Sequence, residues 1–270
     1  MDSLFAFSKT MKLFLFLVGI FTITMGALWH YRVPASYTVW SRLGLDTIAT
    51  ALNPRDPDLW FAIGNSYFGH GTTYDIQRAQ RAFAAATALR QDFPEAHYQL
   101  GRTYFIEGRF DAALAEMNAT LHYAPDFKKA YYMYGLINGY AGDLDEAVYG
   151  FSEFIKRDDF NWAGYNDLVW IYFKKGDYQK TREVAEAGLR HAERNPWLNT
   201  IYGTALLNLG EKEKAKAVLE IALEESEKMS EKDWGKAYPG NNPAIYKQGL
   251  EEMKSSIRHN LDLLIRKDIL

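Results

Sequence analysis

Cysteine is absent from all 270 residues. That excludes disulfides, thiolate metal centres and a cysteine nucleophile, and leaves the compartment open, because a chain without thiols survives either redox state. An excess of positive charge is missing too. The 31 Lys and Arg stand against 34 Asp and Glu, so the charge balance does not point to nucleic acid. Catalytic signatures are also lacking. The histidines, His30, His70, His97, His122, His191 and His259, are scattered without metal-ligand spacing such as H-E-x-x-H. No Walker loop, G-x-S-x-G elbow or dinucleotide fingerprint occurs. The carboxylates of residues 211–233 alternate with lysines in "EKEKAK" and "EESEK", the pattern of a solvated helix face. The residues therefore support no enzyme, no metal site and no cofactor.

Long apolar runs are lacking as well, with one exception. "LFLFLVGIFTITMGALWHY", residues 13–31, holds no Asp, Glu, Lys or Arg. As a helix it would span about 28 Å, close to a hydrocarbon core. Lys9 and Lys12 precede it, and Trp29 and Tyr31 stand where an aromatic belt would lie. The expectation is a transmembrane anchor over 13–31 after a short tail, 1–12. A cleaved signal peptide starting at Met11 is the alternative; Thr24 and Gly26 are small, but no A-x-A follows. Arg32 and Arg42 nearly balance the two lysines, so export of the bulk of the chain is only mildly favoured.

What the chain does have is a period. "EGRFDAALAE" at 107 returns in altered form as "AGDLDEAVYG" at 141, "KGDYQKTREV" at 175 and "LGEKEKAKAV" at 209, always 34 residues on. A second ladder runs Gly101, Gly135, Val169, Gly203, and a third Ala79, Ala113, Ala147, Thr181, Ala215. A single long helix repeats every three or four residues, whereas a period of 20 to 50 marks stacked supersecondary units. Within one unit, His97, Leu100, Gly101 and Tyr104 share a helical face. Gly108 ends that helix as a left-handed cap. A second helix follows with Ala113, Leu114, Met117, Thr120 and Leu121 inward, and stops before Pro125. Gly101 facing Ala113, and Gly135 facing Ala147, would let paired backbones approach closely. Gly64 to Gly101 is 37 residues but Ala79 to Ala113 is 34, which puts three extra residues in the first hairpin turn, around Gly69 to Asp75.

These ladders make the chain resemble the tetratricopeptide repeat (TPR) family. The first unit reads Trp60, Ile63, Gly64, Tyr67, then Ala79, Phe83 and Ala86; the second His97, Leu100, Gly101, Tyr104, then Ala113, Met117 and Pro125. The third has Tyr131, Tyr134, Gly135, Ala147 and Phe151, and the fifth Gly203, Ala215, Leu219 and Ala222. The fourth, Tyr165, Leu168 and Tyr172, departs most, with Val169 and Thr181 at the small positions. The resemblance implies an all-α, right-handed solenoid of about five hairpins over 56–229, divided as 56–93, 94–127, 128–161, 162–195 and 196–229. A linker and N-capping helix over 32–55 would precede it, with Val39, Trp40, Leu43 and Ile48 on one face. A loop at 230–242 and a C-capping helix at 243–270 would follow, started by Asn242 and Pro243 and striped by Ile245, Leu250, Met253, Ile257 and Leu261.

The resemblance also implies a concave face lined by the first helices, where partner segments bind. Carried onto this chain, that face holds Phe61, Asn65 and Phe68 from the first unit, and Tyr98, Arg102, Phe105 and Ile106 from the second. The third contributes Tyr132, Leu136 and Tyr140; the fourth Asn166, Trp170, Phe173 and Lys174. Aromatic residues grouped on one face suit an interface. Polarity is confined to Asn65, Arg102, Asn166 and Lys174, so a peptide or amphipathic helix fits better than a C-terminal carboxylate. The expected function is a membrane-anchored scaffold for a protein partner, with assembly of a cell-envelope complex as its setting. A cleaved, exported adaptor and a self-associating structural subunit are the alternatives.

Overall fold

The computed structural model describes residues 18, 20, 22, 30–32, 34–69, 73–237 and 242–267, with side chains as far as residue 264. Among the described residues there are helices and turns and no strand. Ten helices form five hairpins: α3 (Pro57–Phe68) with α4 (Ile76–Leu89), α5 (Pro94–Ile106) with α6 (Phe110–Tyr123), α7 (Lys128–Ala141) with α8 (Leu144–Arg157), α9 (Trp162–Lys174) with α10 (Tyr178–Leu189), and α11 (Pro196–Asn208) with α12 (Lys212–Lys228). Each hairpin packs on the next, giving an α-solenoid.

Local chemistry sets the helix ends. The Asp56 carboxylate accepts from the backbone N–H of Asp58 and Leu59, with Pro57 at the first helical position. Asp75, Asp143, Asn161, Asp177 and Asn195 cap their helices in the same way. The turn glycines have positive φ, 72° at Gly108 and 100° at Gly142, where a Cβ would be strained. The first turn is longer, spanning 69–75, as the 37-residue interval predicts.

The close helix approach is real, but its partners are shifted. Met117 lies over Gly101, with the Ala113 carbonyl 3.2 Å from where a Cβ would stand, and Phe151 rather than Ala147 lies over Gly135. A Cβ on Gly135 would come within 2.8 Å of the Phe151 ring, and one on Gly64 within 2.5 Å of Phe83. The alanines sit one turn earlier on the same face and allow the approach; the large side chain then fills the gap. Phe83 and Phe151 are wholly buried, worth roughly 1.5–3 kcal/mol each. The fourth unit inverts this pairing. Val169 takes the glycine position and Ala185 the ring position, and both are buried in one cluster. The volume moves across the interface and the fit survives.

The ends are covered by helices. α1 (residues 34–43) and α2 (Asp46–Leu52) precede the first hairpin. They are two helices rather than one, because Gly44 breaks the run with φ 65°. The break also changes the buried face: Leu43 is 64% exposed and Ile48 49%, while Ala49, Tyr37, Val39 and Trp40 pack toward Leu59, Ile63 and Ala82. At the other end, Asn242 caps a 3-10 turn (Pro243–Ile245) that leads into a long helix (Tyr246–Lys267). Its Leu250, Ile257 and Leu264 are buried, the latter two against Leu219 and Ala222. The segment 230–242, expected as a loop, contains a further helix, α13 (Glu231–Ala237), so the long helix is α14. The missed signal is "SEKD". Ser230 Oγ accepts from the Asp233 N–H at 3.2 Å, and an Asp233 carboxylate oxygen accepts from the Ser230 N–H at 3.2 Å, a reciprocal capping box.

The apolar stretch 13–31 lies largely outside the described residues; only Val18, Ile20, Thr22, His30 and Tyr31 within it are described, each helical. Among the described residues no helix is long and apolar enough to cross a membrane.

Candidate functional site

The first helices α5, α7, α9 and α11 share a hollow, which α13 closes at one side. It encloses a cavity of about 530 Å³. Of the expected residues, Tyr98, Arg102, Tyr132, Leu136, Tyr140 and Asn166 line it. Lys128, Lys129, Asp158, Trp162, Asp167, Trp197, Trp234 and Lys236 line it too and were not anticipated. Lys128, Lys129, Trp162 and Trp197 come from the first turns of first helices, Asp158 from the end of α8, Asp167 from the middle of α9 and the last two from α13, outside the register positions that the resemblance marks.

Asp167 and Asn166 hold the chemistry of this cavity. The Tyr132 hydroxyl donates to Asp167 Oδ2 at 2.5 Å, and Asn166 Nδ2 donates to Asp167 Oδ1 at 2.9 Å. Burial raises the Asp167 carboxyl to about 6 against the pull of those two hydrogen bonds, and burial first, then the carboxylate, raises the Tyr132 hydroxyl. Asn166 Oδ1 is buried and has no hydrogen-bond partner among the described residues. Its orientation is dictated by its neighbour, since a flipped amide would set oxygen against a carboxylate oxygen. Trp162 and Trp197 stack at 5.2 Å and 20° on the same wall.

A row of rings continues along the hollow. Phe105 meets Tyr140 edge-on at 5.4 Å, and Tyr140 meets Trp170 at 5.1 Å. Tyr140 is 58% exposed. Lys174 is engaged within the fold: its Nζ donates to the Gly139 carbonyl at 2.7 Å and lies 4.7 Å from the Trp170 ring. Arg102 is likewise engaged. It donates to Gln99 Oε1 at 2.8 Å and lies over the Phe68 ring at 4.6 Å, and burial lowers its pKa.

The first-unit residues stand apart from this surface. Phe68 is 2% exposed and packs on Phe83 and Tyr74. Phe61 lies against Phe83 and Phe93, and Asn65 accepts from Gln99 Nε2 at 3.0 Å. Leu136 is buried as well. Phe173 packs on Tyr178 at 5.4 Å. His97, read as a packing residue, sits between the Glu116 carboxylate at 2.6 Å and the Gln91 carbonyl at 2.8 Å, and the Glu116 bond raises its pKa.

Residues 73–135 match the tetratricopeptide repeat family model. The fold is that of a TPR solenoid. The chain is similar to the structure of MamA, with a TM-score of 0.56 and 22% identity, over 62% of this chain and 95% of that one. It is similar to YrrB, described as a TPR protein with an unusual peptide-binding site, with a TM-score of 0.54 and 15% identity over 66% and 90%. Among curated proteins, the TPR repeat-containing protein YpiA of Bacillus subtilis (strain 168) is 24% identical over 177 residues, 65% of this chain. The matched region spans 41% of YpiA's length.

Proposed function

We propose that this TPR solenoid is a docking scaffold whose hollow face receives a segment of a protein partner. The observation that carries the reading is the 530 Å³ cavity between first helices, continuous through the exposed Tyr140 with a row of half-buried rings. Trp and Tyr dominate interface energetics. The peptide-binding site named for YrrB supports a peptide segment as the kind of ligand. Tyr98, Tyr132, Tyr140, Asn166 and Trp170 are the expected residues that the geometry favours, joined by Trp162, Trp197 and Asp167. Phe61, Asn65 and Phe68 serve packing instead.

The apolar stretch 13–31 supports a tether to a membrane, where confinement raises the effective concentration for partners on the same surface. The anchor, an exported repeat domain and a role in envelope assembly belong to the same proposal. In-cell photo-crosslinking from Tyr140 and Trp170 tests the scaffold reading. A discrete heterologous adduct from both positions is expected. Adducts only with a second copy would replace the reading with a self-associating subunit, and adducts only from the outer-face Tyr149 would move the site.

A further inference from the structure

The hollow has unspent acceptor capacity. Asp167 accepts two hydrogen bonds, both from neutral donors, and no Lys or Arg forms an ion pair with it among the described residues. Asn166 Oδ1, beside it, lacks a donor among those residues. A half-buried carboxylate without a cation, beside a buried amide oxygen that lacks a donor, is unfavourable in the empty protein. Such an arrangement is relieved by a positively charged hydrogen-bond donor from outside.

The indoles that line the cavity suit the same guest. Trp162, Trp197 and Trp234 line it, and indole faces attract ammonium and guanidinium groups. The cationic groups around the cavity do not contradict this. Lys128 is paired with Asp158 at 2.9 Å, Lys236 with Asp233 at 2.7 Å, and the Arg102 guanidinium is directed to Gln99 and the Phe68 ring. Lys129 stands exposed, at the rim.

We propose that the hollow takes a basic side chain of the partner, a lysine ammonium or an arginine guanidinium, with its donors on Asp167 and its charge against the indole wall. The inference rests on the docking reading and names the chemistry of the segment that docks.

The test uses the full chain in detergent micelles, labelled with 15N at the tryptophan indoles. It is titrated with n-butylguanidinium and, separately, with n-pentanoate. The cation is expected to shift the cavity indole signals saturably, with a Kd at least tenfold below that of the carboxylate. Asp167→Asn is expected to weaken cation binding tenfold or more while unfolding no more easily than the parent, which a merely structural role would not produce. Preference for pentanoate, equal cation binding by Asp167→Asn, or saturation by neither probe would overturn the inference. Crosslinking from Tyr140 reports separately. A chain that captures its partner yet ignores the cation loses only this inference, and one that binds the cation but captures no partner loses only the scaffold reading.

Discussion

The two halves of the hollow face are built from the same register positions and end in opposite states. In the N-terminal half, Phe61 and Phe68 turn down onto Phe83, Phe93 and Tyr74 and close the surface. In the C-terminal half, the equivalent rows open into a cavity. One ladder accounts for the difference. The position held by Phe61 recurs as Tyr98, Tyr132, Asn166 and Thr200, so the ring shrinks to an amide and then to a hydroxyl. Space opens where the ring is lost, and Trp162 and Trp197, one turn nearer the helix starts, become its wall. Repeat register tells which face a residue occupies; the neighbours decide whether its ring is spent on packing or left for a partner.

The largest effect that would sharpen this contrast is Phe68→Ala. Removing a ring that is 2% exposed is expected to lower stability by about 3–5 kcal/mol. Partner capture should persist at a temperature where the fold holds. Chemical denaturation alongside crosslinking from Tyr140 checks both, and loss of capture in a folded variant would erase the division between the halves.

Trp162→Ala should behave in the opposite sense. It is expected to weaken partner binding by about 2 kcal/mol, as a buried aromatic anchor does. Its stability loss should be smaller, since the stack with Trp197 adds only about 0.5–1.5 kcal/mol beyond burial. Calorimetric titration with the crosslinked partner segment, beside a denaturation curve, measures the two terms.

The smallest effect carries a sign. The Asp167 carboxyl is raised from 3.8 to about 6, so the folded state holds its proton more tightly than the unfolded chain. The penalty is present above pH 6, shrinks as pH falls through 6, and vanishes below 3.8. Full expression of the shift is about 3 kcal/mol, and water in the open cavity reduces it. Asp167→Asn is therefore expected to stabilise the protein by about 1–2 kcal/mol at pH 8 and to leave it unchanged at pH 3.5. The new amide also lets Asn166 flip, so that its Oδ1 gains a donor. Denaturation midpoints at the two pH values decide; destabilisation at pH 8 would show that the carboxylate is satisfied in place.

Much of the architecture was legible because it is periodic. The 34-residue ladders located the hairpins, the turn glycines and the long first turn. They also named the fourth unit as the exception, which the structure resolves as Val169 against Ala185 in place of glycine against a ring. α13 was missed although its capping box is written in "SEKD", because no repeat position called attention to it. The helix break at Gly44 was missed for a similar reason: one glycine inside an apolar pattern reads as tolerated until its φ of 65° is seen. The site was legible in part. Tyr98, Tyr132, Tyr140 and Asn166 follow from register, whereas the closing-in of Phe61 and Phe68 depends on Phe93 and Tyr74 in connecting segments, which register does not reach. Trp162 and Trp197, 35 residues apart, carried a usable signal in their near-repeat spacing. Asp167 carried none, since its importance comes from burial beside Tyr132.

Restoring the missing ring is the most direct test that the open half of the hollow is the docking surface. Asn166→Tyr should fill the cavity beside Trp162, and crosslinking from Trp170 is the measurement to make on it. A folded Asn166→Tyr protein is expected to lose the partner adduct that the parent gives. An undiminished adduct from the filled variant would contradict that expectation and place the partner elsewhere on the solenoid.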